Sequence, residues 1–153
     1  MALAFVRGVL AVVAGCLAAA AMMVIFESLG QVAFPRPAPL DPAKPGTIAE
    51  VMKAMPAGAF AFVLMGWAAG TLLGSSIAAR LSPAWSLGCG MVVGGLMLGA
   101  SVANMVMIPH PAWVWVVGVL LFLPTAFVGA TLGSARHNFP PAGPPPEVAR
   151  SRG

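Results

Sequence analysis

Charge is what this sequence has least of. Only 8% of its 153 residues are Asp, Glu, Lys or Arg, while 59% are apolar; an ordinary soluble domain carries about 25% charged residues. A water-facing surface cannot be built from so few ionised side chains. The deficit is also uneven, with no charged residue between Arg7 and Glu27, between Lys53 and Arg80, or between Arg80 and Arg136. A helix crossing a hydrocarbon core of about 30 Å needs about 20 apolar residues at about 1.5 Å each. The three gaps hold four such lengths.

Cysteine is nearly missing as well. Cys16 and Cys89 both stand inside apolar runs, which argues against a disulfide framework and for buried thiols. No Cys/His group has zinc spacing, no glycine loop is built to cradle phosphate, and no serine has the glycine flanks of a nucleophile. His110 and His137 are expected on opposite sides of a membrane, so they cannot share a haem. Met55, Met65, Met91, Met97, Met105 and Met107 follow no copper-path motif and read as core or lipid-facing side chains. The net charge of +4 comes from single, scattered basic residues without interleaved aromatics, a poor nucleic-acid surface. The expectation is a non-enzymatic protein without metal, cofactor or nucleic-acid partner.

The pattern that is present is all-α and polytopic. Spans are expected at about 8–34, 58–79, 84–107 and 113–133, packed as an antiparallel four-helix transmembrane bundle that forms one membrane domain over 1–137. Residues 35–46, PRPAPLDPAKPG, carry five prolines that forbid a helix and favour an extended path. Thr47 and Glu50 then form a capping box for a short interfacial helix over 47–55, in an outer loop of 35–56. Its Ile48, Val51, Met52 and Met55 share a face opposite Glu50 and Lys53. Arg80-Leu81-Ser82-Pro83 reads as a tight turn and Ile108-Pro109-His110-Pro111 as a helix break. The proline-rich tail, 138–153, reads as disordered.

Arg7 ahead of an apolar run, with Ala18–Ala21 behind it, imitates a secretory signal, and Val13-Ala14-Gly15-Cys16 imitates a lipoprotein box. Yet the run stays apolar through Phe26, so a span is expected instead. Four spans place Arg7, Arg80, Arg136, Arg150 and Arg152 on one side and Arg36, Lys44 and Lys53 on the other. The positive-inside rule therefore favours cytoplasmic termini, with Trp113 and Trp115 at the outer interface and Trp85 at the inner one.

In lipid, burial of apolar area does not bring helices together; close backbone approach and interhelical hydrogen bonds do. The second span has Gly66, Gly70, Gly74 and Ala78 at intervals of four, and the third has Gly90, Gly94, Gly95, Gly99 and Ala103. These read as two facing glycine ridges that pack within the chain, with homo-oligomerisation or docking onto a larger membrane complex as the other use. Ala11, Gly15 and Ala19 add a small face on the first span, and Pro124 predicts a kink in the fourth.

Glu27 is the one acidic residue inside a span, with Ser28 beside it and Gln31 one turn on along the same face. It falls late in the first helix, near the outer interface. Asn104 and His110 belong to that level too, so Glu27, Gln31, Asn104 and His110 are expected to converge. Two uses stay open. A histidine beside a carboxylate can form a proton-titrating site, and polar side chains between helices can form a clasp, which is the preferred reading.

Glu27-Ser28-Leu29-Gly30, the proline-rich link with Leu40-Asp41-Pro42, and Asn104-x-x-Met107-Ile108-Pro109-His110-Pro111 resemble a group of small uncharacterised bacterial four-helix membrane proteins, over most of residues 5–135. That resemblance implies a fold and a bacterial inner-membrane setting, and no activity. Small multidrug exporters share four short helices and a carboxylate in the first, but their glutamate lies deep in the membrane and their first loop is short. The functional expectation is an accessory, scaffold or assembly subunit of a membrane complex, with the lipid bilayer and a larger complex or a second copy as partners. The alternative is a small oligomeric proton-coupled transporter or channel using Glu27.

Overall fold

A computed structural model describes residues 1–35 and 45–135, and every regular element among them is helical. The α-helices are α1 (Ala2–Ala33), α2 (Pro45–Ala54), α3 (Ala57–Leu81), α4 (Ser86–Met107) and α5 (Ala112–Ser134), with a 3-10 turn at Pro83–Trp85. Four segments are long and apolar enough to cross a membrane: α1, α3, the 3-10 turn with α4, and α5. The link over 36–44, the Thr47 side chain of the expected capping box, and residues 136–153 with His137 lie outside the described residues.

Two helix starts differ from the expected ones. α1 begins at Ala2 rather than near Gly8, so Arg7 sits inside it; the long stem carries the guanidinium to the end of α3, where Nε donates to Leu81 O at 2.7 Å. α2 begins at Pro45, taking in a proline and a glycine that the sequence assigns to the extended link. A first-turn proline loses nothing there, because that N–H has no partner in a helix anyway. α5 runs unbroken through Pro124, next to which Thr125 Oγ1 donates to Leu121 O at 2.7 Å.

α1 and much of α5 turn small residues inward and large apolar ones outward, while α3, α4 and the Val114 and Phe122 positions of α5 also bury large side chains. α1 buries Gly8, Ala11, Gly15, Ala19 and Gly30 while Leu10, Leu17, Val24, Ile25 and Leu29 are exposed. α5 buries Gly118, Ala126, Gly129, Ala130 and Gly133 while Val116, Leu120, Leu123 and Phe127 are exposed. That distribution is what association in lipid demands, since close approach and not apolar burial is the driving term.

The small residues pair in a definite register. A methyl group placed on Gly15 would come within 2.6 Å of Gly74 O, and one on Gly70 within 2.7 Å of Ala19 O. Gly66 meets Phe26, and Gly30 meets Phe62. On the other side of α3, Gly118 meets Trp67, Gly129 meets the Leu72 carbonyl and Gly133 meets the Ser76 carbonyl. α4 brings Gly90 and Gly94 against Ala130 and Ala126 of α5, and its Gly90 carbonyl accepts a hydrogen bond from Ser75 Oγ at 2.9 Å. The ridges of α3 and α4 therefore do not face each other: Gly66, Gly70 and Gly74 pack on α1, and Gly90 and Gly94 pack mainly on α5. A methyl group on Gly95 or Gly99 would meet nothing within 4 Å. Periodicity shows which residues share a face, but not what that face meets.

α3 is the hub, touching α1, α4 and α5 through these contacts, with twelve buried residues against five in α1. Its Phe60, Leu64 and Trp67 build the main core with Met105, Val114 and Phe122. A smaller cluster of Ala78, Cys89 and Val93 lies nearer Arg7. Cys16 and Cys89 are both free thiols.

Candidate polar cavity

Two prolines shape the end of α4. The residue before a proline is pushed towards extended backbone, and Ile108, before Pro109, has φ −118° and ψ 120°. Ile108 N–H still closes the helix on Asn104 O at 2.9 Å. The reversal brings His110 back on itself, with Nδ1 2.6 Å from Ile108 O. A carbonyl only accepts, so Nδ1 is the donor in this contact. The His110 ring also stands edge-on to Phe60, centroids 5.9 Å apart, and Phe60 in turn meets Trp113 at 6.2 Å.

Glu27 lies six residues before the end of α1 at Ala33, about 9 Å at 1.5 Å per residue. Glu27, Gln31, Asn104 and His110 all line one cavity of about 200 Å³. The sequence places these four at one level; the structure brings them around one space. They do not form a clasp by direct bonding. Among the described residues the side chains of Glu27, Gln31 and Asn104 make no hydrogen bond or ion pair, and all three residues are exposed at the mouth. Ser28 turns back on its own helix, donating to Val24 O at 2.8 Å.

The rest of the lining escaped the sequence reading. Phe60, Phe62 and Trp67 of α3 wall the cavity, and Met52 and Met55 of α2 close its side. These rings are held from behind: Phe62 meets Phe34 at 6.0 Å, and Trp67 meets Phe122 at 5.6 Å. The available signal was the spacing of Phe60, Leu64 and Trp67, which marks one helical face. In an apolar helix that signal is the same for a ring that faces lipid and one that lines a site.

The packing explains why the space exists at this end. Here glycines accept rings: a methyl on Gly58 would meet the Phe34 ring at 2.5 Å, and one on Gly118 the Trp67 ring at 2.9 Å. On the Arg7 side, Gly15, Gly74, Gly129 and Gly133 accept backbone, while Gly8 meets the Trp85 ring. Backbone contact draws helices together; interposed rings hold them a side chain apart. Among the described residues no three His, Cys, Asp or Glu side chains are grouped as metal ligands. Comparison of the chain with protein-family models, curated proteins and solved structures found no match.

Proposed function

We propose that the chain is a non-enzymatic integral membrane protein, an antiparallel four-helix bundle of the bacterial inner membrane, whose outer-end cavity binds a group from another molecule and so serves an accessory or assembly role. The antiparallel arrangement is supported by the contact register. Along α1 and α3 the pairs Gly15 with Gly74, Ala19 with Gly70 and Phe26 with Gly66 run in opposite numerical order, and along α4 and α5 so do Gly90 with Ala130 and Gly94 with Ala126. In that arrangement α2, with Val51 buried and Lys53 exposed, lies at the interface as a roof beside the cavity.

One observation carries the binding reading: four polar side chains converge on a walled space, and three of them have no protein partner among the described residues. A clasp would have bonded these groups to each other, whereas they stand apart around the space. The test separates the two uses. For a binding site, Gln31→Leu and Asn104→Leu leave unfolding in mild detergent within about 0.5 kcal/mol of wild type. A photoreactive phenylalanine analogue at position 62 then yields one discrete adduct in the cell's own membranes. Loss of more than about 1 kcal/mol in either leucine variant, with no adduct, would restore the clasp.

A second reading, proton-coupled transport, is favoured by Glu27 and His110 lining the same cavity. Beneath it Leu64, Trp67, Met105, Val114 and Phe122 fill the interior, so a path would have to run between copies rather than through one. Proton flux in liposomes that Glu27→Gln abolishes would establish this reading; equal flux for both proteins would remove it.

A further inference from the structure

On the reading of the outer-end cavity as a binding site, we propose that its ligand is a primary ammonium group, with Glu27 as the counter-ion. The case begins with the sign of the lining. Its one carboxylate is Glu27, and among the described residues no Lys or Arg lines the space. The walls of Phe60, Phe62 and Trp67 present aromatic rings, whose faces attract cations and repel anions. An anionic ligand would meet Glu27 unopposed. A neutral apolar ligand would leave the carboxylate and two amides without partners, the penalty that governs selectivity in sites with polar groups.

Hydrogen-bonding capacity narrows the class. Glu27 offers carboxylate oxygens, Gln31 and Asn104 offer amide oxygens, and a neutral His110 ring that donates from Nδ1 to Ile108 O offers Nε2. Together these four residues, on two helices and the following loop, can present a set of acceptors. A primary ammonium carries three donors to match it, whereas a quaternary ammonium carries none. Charge-assisted bonds of this kind are roughly twice as strong as neutral ones. Size agrees: about 200 Å³ lies below the span of roughly 300–1,000 Å³ of sites for drug-sized molecules. It corresponds to about seven water molecules at about 30 Å³ each. The space takes a headgroup and not a whole amphiphile, and Glu27 at its mouth stands about 9 Å from the end of α1, which in a chain that spans a bilayer puts it towards the headgroups. An aminoethyl lipid headgroup and a free alkylamine present the same chemistry.

The test is calorimetric titration of the purified full chain in mild detergent with n-butylammonium, tetramethylammonium and n-butanol. The ammonium probe is expected to bind one to one, with both others at least about tenfold weaker. Glu27→Gln weakens n-butylammonium by about tenfold or more, and adding Gln31→Glu, one turn on in the same lining, restores it. Rescue by a relocated carboxylate cannot come from misfolding. Nanodiscs separate the sources: occlusion of n-butylammonium in phosphatidylethanolamine but not in phosphatidylcholine assigns the site to the lipid headgroup, and equal binding in both assigns it to a free amine. Equal affinity for n-butanol, unchanged binding by Glu27→Gln, or failure of the double variant to recover would overturn the proposal. Butanol binding alone would leave the cavity as a binding site for something apolar, while silence from all three probes would remove that reading too.

Discussion

The two ends of the molecule are built on opposite packing rules. On the Arg7 side of the bundle, Gly15, Gly74, Gly129 and Gly133 bring helices against backbone, although Gly8 itself meets the Trp85 ring, and polar groups are bonded: Arg7 Nε to Leu81 O at 2.7 Å, and Ser134 Oγ to Ser86 Oγ at 3.0 Å. Phe5 and Trp85 cover this end at 6.4 Å. Around α2, glycines receive rings instead, and Glu27, Gln31 and Asn104 are left around a space. The difference teaches that one residue type serves two ends. Glycine against a carbonyl closes a seam, whereas glycine against a ring makes room for a wall.

That contrast can be broken most directly at its glycines. Gly74→Leu drives a side chain into the Gly15 carbonyl, which cannot move without moving α1; unfolding free energy should fall by about 3 kcal/mol. Gly58→Ala meets only the far edge of the Phe34 ring at the end of α1 and should lose less than about 1 kcal/mol. Equal losses in a detergent unfolding titration would show that the two ends are equally closed. A smaller effect is expected from Arg7→Ala, which removes a cation from the C-terminus of α3, at about 1 kcal/mol. Because Cys89 Sγ lies 3.9 Å from Gly8 O beside that contact, thiol labelling of Cys89 in a Cys16→Ala background should quicken, while the cavity's binding stays unchanged. The smallest effect belongs to Gly99→Ala, in open space on α4, with stability within about 0.5 kcal/mol of wild type. A change in oligomeric mass there would show that this face meets another copy.

The four long apolar helices were legible because a charge-free apolar stretch as long as a bilayer is thick is long enough to cross one as a helix. The start of α1 was not, because Arg7 reads as a boundary until its stem is seen to reach Leu81. Gly66, Gly70 and Gly74 were legible as a packing face, yet their partner proved to be α1 and not α4. Glu27, Gln31, Asn104 and His110 could be grouped from topology, since two helices that end at one level bring their last turns together. Whether they bond or stand apart depends on the width between helices, which Phe60, Phe62 and Trp67 set and which no spacing along the chain records. Thr71 Oγ1, buried and without a partner among the described residues, shows the same limit in reverse.

Because a chain is made from its N-terminus, the central place of α3 sets which contacts are available at each chain length. As α1 emerges, its small face of Gly8, Ala11, Gly15 and Ala19 has nothing to close on; most of its partners lie in α3. Once residue 81 is inserted, α1 has its mate and Arg7 its carbonyl, while the α3 surface that will hold α5, at Leu72 and Ser76, is still bare. α4 and α5 meet each other through Gly90 and Gly94, and both close on α3 surfaces that precede them in the chain. The ring-walled cavity takes no lining residue from α5, so its lining is complete once Asn104 and His110 stand beside Glu27, and α5 serves it only from behind, through Phe122 on Trp67.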